Sequence, residues 1–231
     1  SYGIDDVVSI KGDGLSPFVF GRGWLLEIIE VESGEFYFFH DSEKVVPRGR
    51  RFGIFYPPFC FVRSYVKDLK GSVHGIGHTQ LPPGLPTHPV IFESDFGGSL
   101  TSSSDAVNIL ASAENIQSIE PRSDPSFLSI RAKRLIDENY LAFPSIARIA
   151  KRLKVSHSHL SRQFKRDFAM SPSEYLHQLR VAEATFRLSI GEKIIDISHE
   201  VGYNDLSRFY RQFRKNTRTS PAICREMLKS D

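Results

Sequence analysis

SIARIAKRLKVSHSHLSRQFKRDFAMSPSEYL (residues 145–176) and KIIDISHEVGYNDLSRFYRQFRKNTRTSPAICR (residues 193–225) carry one pattern twice. Arg162-Gln163-Phe164-Lys165-Arg166 superposes on Arg211-Gln212-Phe213-Arg214-Lys215, and Ser171-Pro172 then falls on Ser220-Pro221 without a gap. Upstream, Ile149-Ala150 matches Ile197-Ser198 and Leu153 matches Val201 after a one-residue insertion in the second turn. Self-similarity on this scale marks a duplicated supersecondary unit. Each copy reads as a helix, a tight turn and a second helix loaded with Arg, Lys and small polar residues. That is the layout of a helix-turn-helix DNA reader.

The first unit follows from its apolar spacing. Ser145 caps a helix in which Ile146, Ile149, Ala150 and Leu153 make an i, i+3, i+4, i+7 stripe, Lys154-Val155 turns the chain, and Ser156 caps the next helix. There Leu160, Phe164 and Phe168 face inward, which leaves His157, Ser158, Ser161, Arg162 and Lys165 outside. Ser171-Pro172-Ser173-Glu174 is a capping box with proline at the first helical position, and it opens a long connecting helix with a stripe of Tyr175, Leu179, Ala182 and Phe186. Some fifteen residues at about 1.5 Å each give roughly 20–25 Å, which with the flanking turns sets two reading heads near one DNA turn apart, about 34 Å. In the second unit Ile194, Ile197 and Val201 point inward, Gly202 ends the first helix, Asn204 or Asp205 caps the second, and Phe209 and Phe213 are core. Leu206, Ser207, Tyr210 and Arg211 point outward. Ahead of both units, Phe127 to Tyr140 opens the domain with Ile130, Leu135 and Ile136 on one side and Arg131, Lys133 and Arg134 exposed.

Arginine on such a helix pairs in bidentate fashion with guanine O6 and N7, and serine hydroxyls serve several bases. The base-contacting set is therefore His157, Ser158, Ser161, Arg162, Leu206, Ser207, Tyr210 and Arg211. Lys165, Arg166, Arg214, Lys215 and Arg218 flank these faces and suit phosphate, which positions the protein without reading sequence. A merely solvated basic face would explain one such helix, but two with equal internal spacing argue against it. The net charge of +3 also conceals an asymmetry: residues 1–121 hold 9 Lys/Arg against 15 Asp/Glu, and residues 122–231 hold 21 against 12. The basic half has the electrostatic footprint of a phosphate-binding surface, and the acidic half does not.

The region from Phe127 to Leu228 resembles the DNA-binding domain of the AraC/XylS family of bacterial transcription regulators. The residues that carry the resemblance are Ser156 to Lys165, Ser171-Pro172, and above all ISHEVGYNDLSRFYRQFRK (Ile197 to Lys215) with Ser220-Pro221. It covers under half of the chain, and it implies that His157–Phe168 and Leu206–Thr217 are the base-reading helices. Ala169 and Arg218 stand where the family carries glycine after each reader, so each must accept a left-handed backbone or end its helix differently. Cys224 stands for a tyrosine and Ser198 for an alanine. The resemblance further implies an N-terminal cupin-like barrel that binds a small effector and dimerises, with promoter DNA and RNA polymerase as partners and activation as a common outcome.

The acidic half reads as β-rich. Trp24 to Val31, Glu35 to His40, Arg51 to Tyr56, Phe59 to Val66, Ser72 to His78 and Pro89 to Glu93 are short runs rich in Ile, Val, Phe and Tyr. Turn residues such as Ser33-Gly34 and Pro47-Arg48-Gly49 punctuate them. Strands at this spacing predict a sandwich or small barrel. The aromatic load (Phe36, Tyr37, Phe38, Phe39, Phe52, Phe55, Tyr56, Phe59, Phe61) is either plain core or the wall of a pocket. His74, His78 and His88, with Glu93, lack the close His-x-His pair of metal-binding barrels and read as structural. No nucleophile elbow, His-Glu-x-x-His or glycine-rich phosphate loop is present, so neither an enzyme nor a cofactor is expected.

The organisation expected is thus a two-domain α+β chain: a β-rich barrel or sandwich over 1–93, a linker over 94–125, and an all-α domain over 126–231 with two helix-turn-helix units joined by a long helix. Gly97-Gly98, Ser102-Ser103-Ser104, Pro121 and Pro125 mark the linker, and Asp105 to Ile119 within it predicts a short helix. The two cysteines, Cys60 and Cys224, form no framework, and no run is apolar enough to span a bilayer. These features lead to the expectation of a soluble, cytoplasmic protein. The competing readings of the barrel are a protein–protein contact module without a small ligand, and an enzyme tethered to DNA whose metal would depend on His74 or His78.

Overall fold

The computed structural model describes residues 2–9, 13–19, 21, 23–40, 43–78, 80–98, 100–120, 124–142 and 145–227. Pro121 and Leu228 lie outside the described residues. The chain divides into two compact units, residues 1–123 and 124–231.

The first unit is an eight-stranded sheet of β1 (Tyr2–Ser9), β2 (Asp13–Val19), β3 (Trp24–His40), β4 (Glu43–Val45), β5 (Arg51–Tyr56), β6 (Phe61–His78), β7 (Val90–Glu93) and β8 (Glu114–Ser118), rolled into a nearly closed barrel. Its path runs β1-β6-β3-β5-β7-β8, with β2 on β6 and β4 on β3, and every pairing is antiparallel.

Two long strands replace four short ones. The Ser33-Gly34 pair that reads as a turn is a bend inside β3, with register shifts between Val31 and Glu35. Gly34 sits at φ +99°, and a Cβ there would lie 2.5 Å from the carbonyl oxygen of Asp68. One added at Gly71 would lie 2.1 Å from that of Glu30. Two backbones this close, with bulges, let the second halves of β3 and β6 fold back over the first. Strand alternation then sorts the side chains to two faces. Leu25, Phe38, Phe52, Ile54, Tyr56, Cys60, Val62, Ile91 and Ile119 fill the interior, where Phe36 stacks on Phe52 at 5.7 Å. Trp24, Leu26, Ile28, Phe55, Ile76 and Phe92 form an outer core.

That outer core is covered by α1 (Ser103–Ser112), whose Ala106, Ile109 and Leu110 are buried in it. The single helix expected over Asp105 to Ile119 is corrected here. A capping box of Ser102 and Asp105 starts α1 two residues earlier, Ala113 turns extended, and β8 pairs with β7. The stretch expected as a linker therefore contributes a helix and a strand to the first unit, because its apolar residues find a face to cover.

The second unit holds α2 (Phe127–Asn139), α3 (Ile146–Arg152), α4 (His157–Phe168), α5 (Pro172–Ser189), α6 (Ile194–Glu200), α7 (Leu206–Thr217) and α8 (Pro221–Met227). The 18 residues of α5 make it the axis of this unit, about 27 Å long. Its capping box is formed as its sequence predicts: Ser171 Oγ accepts from the Glu174 amide at 3.2 Å, and the Ser171 amide donates to Glu174 Oε2 at 2.8 Å. Being central, α5 buries more than one stripe. Tyr175 and Leu179 are buried together with Leu176, Arg180, Val181, Glu183, Ala184 and Leu188, whereas Ala182 and Phe186 are only half-buried. On α2 the buried side is Ser129, Ala132 and Ile136, and Ile130, expected inside, is 47% exposed.

Candidate nucleic-acid interface

Each helix-turn-helix unit is built from a short helix, a tight turn and a capped second helix. In the first, Lys154 takes a left-handed φ of 57° to turn the chain, and Ser156 Oγ accepts from the His159 amide at 3.1 Å. Ser145 stands at the N-cap of α3 but makes no side-chain cap bond. Helix α4 buries Leu160, Phe164 and Phe168, with the Phe164 ring 4.6 Å from that of Phe168 and 5.7 Å from that of Tyr175. The opposite face presents His157, Ser158, Arg162, Lys165 and Arg166 as exposed side chains, with Ser161 half-buried beside them.

The buried Asp167 orients this reader. It accepts from the Ser126 amide at 3.0 Å, from Ser126 Oγ at 2.5 Å and from Gln163 Nε2 at 3.0 Å. Burial alone would raise its carboxyl, but hydrogen bonds from Ser126, Gln163 and Ser129 outweigh that and hold it at about 2. The start of α2 is thereby tied to α4 by a permanent anion. The clue in the sequence is an aspartate at an inward position between Phe164 and Phe168.

In the second unit Asp205 caps α7, accepting from the amides of Ser207 at 2.9 Å and Arg208 at 3.2 Å. Phe209 and Phe213 are fully buried among Val181, Ala184, Leu188, Ile197, Val201 and Tyr203. Leu206, Ser207, Tyr210, Arg211, Arg214 and Lys215 line a shallow open groove along α7. Of these Tyr210 is half-buried, its ring edge-on to Phe209 at 6.0 Å, and the rest are exposed. Both predicted sets thus lie on one outer face of their own helix. Exposed Arg208, beside Ser207, was missed by the sequence reading. So was a second open groove, bordered by Arg148, Lys151 and Arg152 of α3 with Leu135, Asn139 and Ala142; its cations recur at helical spacing and were legible as a basic face.

Both readers end on a non-glycine residue in the left-handed region, Ala169 at φ 58° and Arg218 at φ 59°. The missing glycines therefore leave the turn geometry unchanged and are borne as strain. Replacing Ala169 by glycine is expected to stabilise this unit by ~0.5–1 kcal/mol, the relieved Cβ clash exceeding the extra freedom of the unfolded chain. A urea transition followed by ellipticity at 222 nm measures it, and an unchanged or lower midpoint would show that the Cβ is not strained there.

The heads are joined through a buried polar network. Arg180 of α5 donates through Nε to the Tyr140 carbonyl at 2.8 Å and through Nη1 to the Gly202 carbonyl at 3.0 Å, while Tyr140 donates its hydroxyl to Glu183 at 3.1 Å. Gly202 is at φ +85°, where a Cβ would meet the Arg180 guanidinium at 2.8 Å. His177 stacks on Tyr203 at 5.7 Å and bonds its hydroxyl at 2.9 Å. Burial, then the charges of Arg180, Arg208 and Lys215, depress the imidazole to about 4, so it is neutral near pH 7.

Among the described residues no three His, Cys, Asp or Glu side chains are grouped to hold a metal ion, and no helix is long and apolar enough to cross a membrane.

Two helix-turn-helix units, each turning a basic second helix outward and both mounted on one central helix, define a tandem helix-turn-helix domain. Residues 149–227 match the family described as "Helix-turn-helix domain". The chain is similar to the uncharacterised HTH-type transcriptional regulator YijO of Escherichia coli, 33% identical over 47% of this chain and 38% of that protein. It is also similar to the HTH-type transcriptional activator RhaS of Pectobacterium carotovorum, 33% identical over 41% of this chain and 34% of the relative. The match thus spans well under half of these relatives' length. Over the whole chain the fold is similar to that of ToxT from Vibrio cholerae. The apo form of a ToxT variant matches at a TM-score of 0.55 and 13% identity, over 99% of this chain and 98% of that one. Wild-type ToxT bound to unsaturated fatty acid matches at 0.53 and 12%, over 99% and 96%. At these identities the likeness is one of fold.

Proposed function

We propose that this chain is a sequence-specific transcription regulator whose α4 and α7 enter successive major grooves of a promoter. The observation that carries the reading is the repetition, on two helices set by α5, of an exposed face with serine and arginine at equivalent positions and lysines and further arginines at its edge. We assign His157, Ser158, Ser161, Arg162, Leu206, Ser207, Tyr210 and Arg211 to base edges, and Lys165, Arg166, Arg214, Lys215 and Arg218 to phosphate. The matched relatives are transcription regulators, and we read this chain as a regulator rather than an enzyme, acting in the cytoplasm on RNA polymerase. The fatty acid carried by ToxT supports an effector role for the N-terminal unit here, with a second copy of the chain as a dimer partner.

The test is capture of genomic fragments by the purified chain. A few discrete fragments are expected; diffuse, salt-sensitive binding without sequence preference would overturn the reading. On a captured fragment, Lys165→Ala is expected to weaken specific and non-specific DNA alike and to lower the slope of log K against log salt by about 1. A change of preference at one base pair with an unaltered slope would move Lys165 from phosphate to base.

A further inference from the structure

The interior face of β3 carries a carboxylate among its apolar residues. Glu27 lies on the same face of β3 as Leu25 and Ile29, both in the interior cluster. Its neighbour across the ladder on β5 is Ile54, with Phe52 and Tyr56 on the diagonals. Tyr56 donates its phenolic hydroxyl to the Glu27 carboxylate, and the Cys60 thiol lies close to the same phenol.

On the other side, the β6 residues paired with Glu27 and Leu25 are Gly75 and Gly77, which bring no side chain into the interior. Glu27 is half-buried and keeps part of its surface accessible. Among the described residues no basic group offsets its charge. Burial, reduced only by the Tyr56 hydrogen bond, pushes the carboxyl up to about 7. Phe36, Phe38 and Phe52 pack together in the same interior, with ring centroids 5.0 Å apart for the first pair and 5.7 Å for Phe36 with Phe52.

A carboxylate on the interior face, bonded by a phenol and not by a cation among the described residues, opposite two glycines and in an interior that holds a set of aromatic rings, is complementary to a positive charge on a compact apolar body. We propose that the barrel interior binds a small cationic amine, its ammonium paired with Glu27 beneath the Tyr56 hydroxyl and its body against Phe36, Phe38 and Phe52. This deepens, and rests on, the effector reading above. It also separates this chain from a binder of fatty acids, since the carboxylate of such a ligand would be repelled by Glu27.

The experiment compares three probes of similar shape on the full chain: phenethylamine, phenethyl alcohol and 3-phenylpropanoate. Calorimetric titration gives binding, and the affinity for a captured DNA fragment is read beside it. Phenethylamine is expected to bind about tenfold or more tighter than the alcohol, and the acid not to bind. Glu27→Gln, which keeps shape and removes charge, is expected to erase the preference for the amine. Equal or tighter binding of the alcohol or the acid, with DNA affinity altered, would overturn the cation inference and leave the effector reading standing. Failure of all three probes to bind or to alter DNA affinity would overturn both. The wild-type comparison decides even if the variant does not fold.

Discussion

Replacing Arg162 and Arg211 together by alanine is expected to lower affinity for a captured promoter fragment by roughly 30-fold to 10⁴-fold, each lost bidentate guanine contact being worth about 1–3 kcal/mol. The two losses should add, because the arginines sit on separate helices with no shared partner. Both side chains are exposed and neither supports a core residue, so the urea midpoint should not move. Affinity for random DNA should fall far less, since Lys165, Arg166, Arg214, Lys215 and Arg218 remain to hold phosphate. Fluorescence anisotropy on specific and scrambled duplexes at fixed salt measures both quantities. A double variant that kept its preference for the captured fragment would show that these faces do not read bases. Loss of specific and random binding in equal measure would assign the two arginines to phosphate.

The C-terminal half was legible because its determinants are local. Caps, stripes and turns follow one another within each copy, so Leu160, Phe164, Phe209 and Phe213 declare the buried faces and the outer faces follow by elimination. Partly buried Tyr210 shows the limit of that logic, since a ring at the margin of a face can lean on the core while bordering the groove. What local pattern could not show was Asp167 and Arg180. Both are residues that charge alone would send to solvent, and each is buried because partners distant in sequence, Ser126 for one and Tyr140 and Gly202 for the other, complete it. The barrel was legible in class and not in path. Ser33-Gly34 looks like a turn because glycine at positive φ serves turns and bulged bends alike, and only the register of β3 against β6 separates the two. Glu27 escaped notice for the same reason, as nothing in the run from Trp24 to Val31 says which face will close on itself.

Arg180→Ala is expected to cost the C-terminal half about 3–5 kcal/mol, a large part of the roughly 5–15 kcal/mol that holds a domain folded. Arg180 is 3% exposed, and burial pulls its guanidinium below the usual arginine range. Removing it takes the guanidinium's hydrogen bonds from the carbonyls of Tyr140 and Gly202, at about 1–3 kcal/mol each, and opens a cavity beneath Tyr203, whose ring centroid lies 5.5 Å from the guanidinium. Lysine should not rescue it, because an ammonium cannot span two carbonyls in the planar fork that guanidinium offers. The effect should be confined to one unit. Ellipticity at 222 nm reports mainly the helices of the second unit, and the single tryptophan, Trp24, reports the first. The 222 nm transition should therefore shift by roughly 2 M urea while the tryptophan transition stays in place. Functionally the clamp matters more than its energy, because it links the end of α2 in the first head to the turn at Gly202 in the second. A fragment carrying both half-sites should lose more affinity than one carrying either alone, as heads no longer held at one spacing must be ordered on binding. If the 222 nm transition moved by less than about 1 kcal/mol, the spacing of the two readers would rest on the apolar packing of α5 alone, and the buried arginine would need another explanation.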